Sequence, residues 1–261
     1  MTPARLAGKV ALITGSDSGI GQATAIEFAK EGAAGVVIHF LHDRAGGEDT
    51  HREVEAAGAR AILVQADISE EAEVARIFDE AMKAFDAIDI LMNNAGVDAS
   101  GTEVADLSAE VWDKAIRTNV YGAFFCCRRF VQLRKAAGGA GKIINVTSVH
   151  QEIPNAGGAD YDCSKGALRN LTKTLALELA PLKINVNNLA PGMVLTPFNQ
   201  PAIDDPELLD KQVQSIPLKR AAQPAEIARL AVFLASSDAD YVTGSTYVMD
   251  GGLMQNLGQG A

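Results

Sequence analysis

Apolar positions along the chain fall into short unbroken runs, separated by longer segments in which they recur every three or four residues. Lys9–Ile13, Gly35–Phe40, Arg60–Gln65, Ile88–Asn93, Lys142–Thr147, Ile184–Leu189 and Thr246–Met249 are short and continuous, so they read as strands. Continuous rather than alternating apolar character predicts strands covered on both faces. The segments between them predict helices over Ala23–Glu31, Arg44–Ala57, the stretch from Glu70 to Ala84, Ser108–Ala137, Tyr161–Ala180 and Pro224–Leu234. Ser69 before Glu70 and Glu71 is the expected N-cap of the third helix, and Pro224 suits a first helical turn. Strands alternating with helices predict an α/β fold: one doubly wound domain over residues 1–261, its seven-stranded parallel sheet carrying helices on both faces. The rhythm breaks only at 193–217, which is Pro-punctuated and long for a connection. That segment is expected to be a substrate lid.

Composition narrows the partners. The 261 residues are enough for one extended core, and 48% hydrophobic with 21% charged residues is ordinary for a globular chain. A formal charge of −10 offers no long-range pull toward nucleic acid or anionic lipid, so a small-molecule partner is expected, with no nucleic acid and no membrane. The three cysteines, Cys126, Cys127 and Cys163, cannot all pair and read as buried free thiols in a reducing compartment. The start, Met1–Gly8, lacks a signal-peptide pattern, and no run of about 18 apolar residues suggests a membrane span, which makes the cytoplasm the expected location. No metal-ligand set is read.

The first strand runs into Thr14-Gly15-Ser16-Asp17-Ser18-Gly19-Ile20-Gly21. Glycines there permit a sharp turn and close approach of a pyrophosphate to a helix N-terminus, whose unpaired N–H groups and dipole favour it, as in a Rossmann-type dinucleotide site. An acid about 20 residues further on ordinarily grips the adenosine ribose. Here that region reads His39-Phe40-Leu41-His42-Asp43-Arg44. Asp43 could meet ribose hydroxyls, while His42 and Arg44 could meet a 2′-phosphate that Asp17 would repel. The cofactor is therefore NAD or NADP, with the balance toward NAD. Further on, Tyr161 and Lys165 lie four residues apart, one turn along the same helix face. A nearby ammonium favours phenolate, which would bring Tyr161 into the range of a useful acid and base. Ser148 ends the fifth strand, at the sheet edge where ligands bind.

In order along the chain, the Gly-rich turn, Asp67, Asn93-Asn-Ala-Gly96, Asn119, Ser148, Tyr161 with Lys165, Pro191-Gly192 and Thr196 resemble the short-chain dehydrogenase/reductase family over nearly the whole length. Within it the chain is most similar to bacterial glucose 1-dehydrogenases, through Ser148-Val-His-Gln-Glu-Ile-Pro154, Ser164-Lys-Gly166 and the Gly-rich tail after Asp250-Gly-Gly252. The resemblance implies that Tyr161 is the catalytic acid/base and that Lys165 holds the nicotinamide ribose and lowers the tyrosine pKa. It also implies that Ser148 binds the substrate oxygen and that Asn119 fixes a water linking Lys165 to solvent. Gly15, Ser18, Gly19, Ile20 and Gly21 would cradle the pyrophosphate. Asp67 and Ile68 would meet adenine, Asn94 and Gly96 the adenosine ribose. Pro191, Gly192, the Val194 backbone and Thr196 would hold the nicotinamide end.

His150, two residues after Ser148, is a candidate for a sugar hydroxyl, with Gln151, Glu152 and Asn155 as lesser candidates. A sugar or polyol dehydrogenase is the first expectation. The alternatives are a reductase of less polar ketones, walled by Met193, Leu195 and Phe198, and a cofactor-binding protein without catalysis. The resemblance also implies a homotetramer through Ser108–Ala137, Tyr161–Ala180 and the last strand; the apolar stripe Phe124, Phe125, Phe130 and Val131 fits that interface, and core packing alone would also explain it.

Overall fold

The computed structural model describes residues 4–256. Its strands are β1 (Val10–Ile13), β2 (Gly35–Phe40), β3 (Arg60–Gln65), β4 (Ile90–Asn93), β5 (Gly141–Val146), β6 (Ile184–Pro191) and β7 (Thr246–Met249). They form one parallel sheet in the order β3-β2-β1-β4-β5-β6-β7, which reverses direction beside β1. In such sheets a crevice opens at the carboxyl ends of the strands flanking the reversal. The doubly wound, seven-stranded expectation holds. β7 is an edge strand and correspondingly only partly covered.

Alternate side chains of each strand serve opposite faces. Ala11 and Ile13 point into a layer with α1 (Gly19–Lys30), Val54 of α2 (Arg44–Ala56) and α9 (Pro224–Ala235), where Phe28, Ile227 and Val232 are fully buried. Leu12 points to the other layer, against α3 (Glu71–Phe85), α5 (Gly122–Ala136) and α6 (Ala159–Leu179), around Phe78, Phe130 and Leu179. Cys126 and Cys127 lie inside this second layer, and burial pushes both thiols far up. Cys163 departs from expectation: it is exposed on α6.

The sheet centre is crossed by a chain of buried polar side chains. Asn93, Asn145, Asn188 and Thr246 are neighbours in register on β4 to β7. Asn93 Nδ2 donates to Asn145 Oδ1 (2.7 Å), Asn145 Nδ2 to Thr172 Oγ1 on α6 (2.7 Å), Thr172 Oγ1 to Asn188 Oδ1 (2.6 Å) and Asn188 Nδ2 to Thr246 Oγ1 (3.2 Å). A one-residue slip of any strand would leave these groups unpaired, so the chain fixes register.

Helix boundaries differ from expectation at informative places. α1 begins at Gly19, inside the Gly-rich turn. Ser69 does not cap α3. Glu70 occupies that position without a side-chain bond, and Ser69 lies in the preceding turn, its N–H donating to Asp67 Oδ1 (2.9 Å). The helix expected over Ser108–Ala137 starts where expected, with Ser108 as its N-cap, but divides into α4 (Ala109–Ile116), a π-helical turn (Arg117–Tyr121) and α5. The 193–217 segment holds α7 (Gln200–Asp204) and α8 (Pro206–Val213), over a small cluster of Val213, Ile216, Ala221, Met193, Leu195, Leu209 and Leu253. No helix among the described residues is long and apolar enough to cross a membrane.

Candidate active site

The carboxyl ends of β1, β2, β4, β5 and β6 open into one cleft of about 1640 Å³. Its floor begins at the Gly-rich turn. Gly15 (φ 59°) packs so closely that a Cβ would lie 2.8 Å from Ala95 Cα, and a Cβ on Gly21 would meet the Gly15 carbonyl at 2.2 Å. Asn94 holds the turn shut, its Nδ2 donating to the Thr14 and Gly15 carbonyls (3.0 and 2.8 Å). Ser18 precedes α1 in extended conformation and makes no side-chain cap bond, so the first N–H groups of α1 are left without one at the cleft. Such a terminus suits an anion.

A residue that no motif singled out supports the turn from beneath. His39, 2% exposed, accepts the Gly15 N–H at Nδ1 (2.9 Å), so its proton is on Nε2, which donates to the Ala66 carbonyl (3.0 Å). Burial lowers this imidazole to about 4. Asp67 and Ile68 line the same end, Ile68 against Gly122, where a Cβ would lie 2.6 Å from Ile68 Cδ1.

The chemical groups gather at the end of β5. Tyr161 and Lys165 project from the first turns of α6, Lys165 Nζ 5.3 Å from the Tyr161 ring centroid, and the Ser148 hydroxyl lies beside the phenol. Lys165 Nζ donates to the Val146 carbonyl (2.9 Å). Burial lowers this ammonium to about 8 and pushes the phenol up to about 12, with Ser148 opposing the rise and Asp98 and Asp162 adding to it. Burial is the largest influence on the phenol, and the Ser148 hydroxyl is the group that opposes it. Asp98, which sequence reasoning missed, lines the cleft and favours the charged form of Lys165.

Asn119 sits in the π-helical turn, 2% exposed. Its Oδ1 accepts the Val97 N–H (2.8 Å), and Nδ2 donates to the Val97 carbonyl (3.1 Å) and Ser164 Oγ (2.9 Å). Gly96 is wedged alongside, where a Cβ would meet Asn119 Oδ1 at 2.9 Å. At the other wall, Pro191 ends β6 and Gly192 turns against Asp250, whose Cα would be 2.8 Å from a Gly192 Cβ. Thr196 packs on Gly19, its Cγ2 3.1 Å from a Cβ placed there. The Val194 carbonyl accepts from Asn199 (2.8 Å).

A family model described as enoyl-(acyl carrier protein) reductase matches residues 15–254. The chain is 41% identical to 3beta-hydroxysteroid dehydrogenase 1 of Eggerthella lenta, covering 95% of this chain and 94% of the relative. It is 36% identical to glucose 1-dehydrogenase 2 of Bacillus subtilis, covering 95% of each. The crystal structure of a gluconate 5-dehydrogenase from Burkholderia cenocepacia, in complex with NADP and tartrate, superposes with a TM-score of 0.89 at 36% identity, covering 97% of this chain and 98% of that one. The chain belongs to the short-chain dehydrogenase/reductase family. It is an oxidoreductase acting on CH–OH groups.

As in the sequence expectation for this short-chain dehydrogenase/reductase, Gly15, Ser18, Gly19, Ile20, Asp67, Ile68, Asn94, Gly96, Ser148, His150, Tyr161, Lys165, Pro191, Gly192, Val194 and Thr196 all line the cleft, and Gly21 and Asn119 pack immediately behind it. Asn155 joins them. Glu152 does not: it pairs with Arg169 at 3.3 Å, and the buried side-chain amide of Gln151 has no partner among the described residues. Met193 and Phe198 line the cleft as expected of an apolar wall, whereas Leu195 packs into the cluster beneath α8. Residues 257–261, which carry part of the Gly-rich tail, lie outside the described residues.

Proposed function

We propose that this enzyme transfers a hydride between a nicotinamide dinucleotide and a hydroxyl-bearing carbon of a sugar or polyol. The observation that carries this reading is the convergence of Tyr161, Lys165 and Ser148 at one end of a cleft whose other end is the glycine turn and open N-terminus of α1. Those residues fit a dinucleotide: the turn accepts a pyrophosphate, and Thr196, packed on Gly19, lines the same cleft with Val194. When bound, the cofactor would supply the hydride chemistry. On the protein's side, the Ser148 hydroxyl favours the phenolate against the desolvation that holds Tyr161 high. Tyr161 then takes the proton of the substrate hydroxyl, while Ser148 holds the same oxygen. Lys165, one donor anchored on Val146, has others for a ribose hydroxyl and the phenolate side. Both N–H groups of the Asn119 side-chain amide are used and its Oδ1 already accepts the Val97 N–H, so a water relay there would rest on a remaining acceptor position of Oδ1 or on the Asn119 backbone carbonyl.

His150 supports the polar substrate. Its Nδ1 lies 2.8 Å from the Ile153 carbonyl, which only accepts, so the proton is on Nδ1 and Nε2 is an acceptor, met by Asn155 Nδ2 at 3.2 Å. With both ring nitrogens of His150 engaged, the groups left for a substrate hydroxyl are the second N–H and the Oδ1 of Asn155, a donor and an acceptor that His150 holds at the cleft. The apolar wall of Met193, Phe198 and Leu253, together with the 41% identity to a hydroxysteroid dehydrogenase, favours a second reading, oxidoreduction of a less polar ketone or secondary alcohol. We take residues 1–261 as one catalytic domain, 193–217 as its lid, and a homotetramer as the working assembly.

A steady-state screen of aldoses, polyols and hydrophobic ketones with both dinucleotides tests the reading, and turnover confined to hydrophobic ketones would select the second. With any active substrate, Tyr161→Phe is expected to lower kcat by about 10²–10⁴-fold, the usual worth of a positioned acid/base. Near-wild-type turnover would refute the assigned role.

A further inference from the structure

We infer that Asp98 is a specificity residue that directs the enzyme to uncharged hydroxyl compounds and away from carboxylates, because its own carboxylate is fixed in the cleft wall by the helix that carries Tyr161. The inference rests on the reading of Tyr161 and Ser148 as the reacting end of the cleft, and adds to it the charge of the substrate. Asp98 lies in the connection between β4 and α4 and lines the same cleft as those two residues. The connection is held on both sides of Asp98. Val97 before it is gripped by the Asn119 amide, through its N–H (2.8 Å) and its carbonyl (3.1 Å). Ser100 after it donates its N–H to Oδ2 of the buried Asp160 (3.2 Å), which directly precedes Tyr161 on α6. One residue further, Gly101 is pressed against Gly157, where a Cβ would lie 2.9 Å from the Gly101 carbonyl.

This anchored connection also runs past the reacting pair. A Cβ on Gly96 would lie 3.8 Å from Lys165 Nζ. The charge of Asp98 is felt by both members: after burial, the largest influence on each, it raises the Tyr161 phenol and favours the Lys165 ammonium. Asp98 Oδ1 accepts the Ala99 N–H (2.8 Å), while Oδ2 has no partner among the described residues and is open to a substrate hydroxyl. Asp162, the other acid near the phenol, is occupied, its Oδ2 accepting the Asn155 N–H (2.8 Å). Apart from the buried Lys165, the cations lining the cleft are Lys114, Arg117 and Lys211, which belong to α4, the π-helical turn and α8. None lies on the segments that carry Ser148, Tyr161 or Asp98. A carboxylate beside the reacting carbon would therefore meet a fixed like charge, whereas a hydroxyl there finds a charged acceptor.

The test compares kcat/KM for matched substrates in the wild type, Asp98→Asn and Lys211→Gln. Each pair is an uncharged compound of whichever class turns over and its counterpart with a carboxylate beside the reacting carbon; for polyols, D-glucitol and D-gluconate serve. The wild type is expected to favour the uncharged member by about tenfold or more. Asp98→Asn keeps an acceptor oxygen and removes the charge, so it should shrink that ratio about tenfold, by raising kcat/KM for the carboxylate. Salt at about 0.5 M should narrow the wild-type ratio likewise and leave that of Asp98→Asn unmoved. A general structural lesion would lower both substrates alike and change neither ratio nor salt response. A wild type that prefers the carboxylate and loses the preference in Lys211→Gln would place the choice of charge on α8. That result, or an unmoved ratio in Asp98→Asn, would overturn the inference and leave the assignment of the reacting end intact. Absence of turnover with every pair would overturn both.

Discussion

His39 shows how a single buried side chain ties cofactor geometry to stability. Its neutral ring bridges the Gly15 N–H and the Ala66 carbonyl, joining the Gly-rich turn to the end of β3. Protonation would set a donor at Nδ1 against the Gly15 donor and bury a charge. The folded value of about 4 lies below the unfolded value of 6.5, so the unfolded chain binds the proton more readily. The contribution of His39 is therefore complete above pH 6.5 and is lost as pH falls to about 4, a loss of about 3 kcal/mol across that window. Urea unfolding of the wild type and His39→Asn between pH 4.5 and 7 checks this. The stability gap between them should shrink on acidification, and a constant gap would show that the ring's titration is uncoupled from folding.

At the scale of elements, the Asn93–Asn145–Asn188–Thr246 chain makes a sharper demand than apolar packing. Asn145→Val should destabilise by about 2–4 kcal/mol in urea titrations, because Asn93 and Thr172 lose partners in the sheet centre, whereas Thr246→Val, at the edge strand, should cost under about 1 kcal/mol. Equal losses would mean that the chain is not acting by burial. The strands containing these residues were legible in the sequence, since a run such as Val10–Ile13 is apolar throughout and can only be buried on both faces. Boundaries fixed by contacts were not. Ser69 has cap chemistry, but the turn in which Asp67 Oδ1 accepts the Ser69 N–H places it one residue before the helix cap. The π-helical turn exists where Asn119 reaches the Val97 backbone, a partner 22 residues away that no local pattern reveals. Ser148, Tyr161 and Lys165, the set proposed as catalytic, were legible because Tyr161 and Lys165 lie one helical turn apart and the family pattern around them is dense. Asp98 and His39 act through position alone and carry no such signature. Asp205 before Pro206 carries a local helix-start signal and caps α8, inside a segment whose prolines predict only a long connection.

For the whole molecule, what remains exposed matters as much as what is buried. The expected stripe on α5 divides: Phe130 is fully buried in the core, while Phe124 is 40% exposed and Tyr121, in the adjoining π-helical turn, 49%. On α6, Leu177 is 81% exposed, and on the edge strand β7 Val248 is 41% exposed. Phe124 is held in place, since Arg128 lies over its ring at 5.3 Å and also pairs with Glu71, so little side-chain entropy is lost when a partner covers it. In a two-fold interface each residue is used twice, and burying one Leu or Phe is worth about 1.5–3 kcal/mol per copy. Phe124→Glu with Leu177→Glu therefore removes several kcal/mol of association while leaving both protomer cores untouched. Sedimentation velocity at micromolar concentration should give a tetramer for the wild type and a smaller species for this double variant. Val104→Glu, equally apolar and 73% exposed but outside those helices, should leave the tetramer unchanged. A monomeric wild type, or a tetramer indifferent to both charges on α5 and α6, would assign these apolar groups no part in assembly.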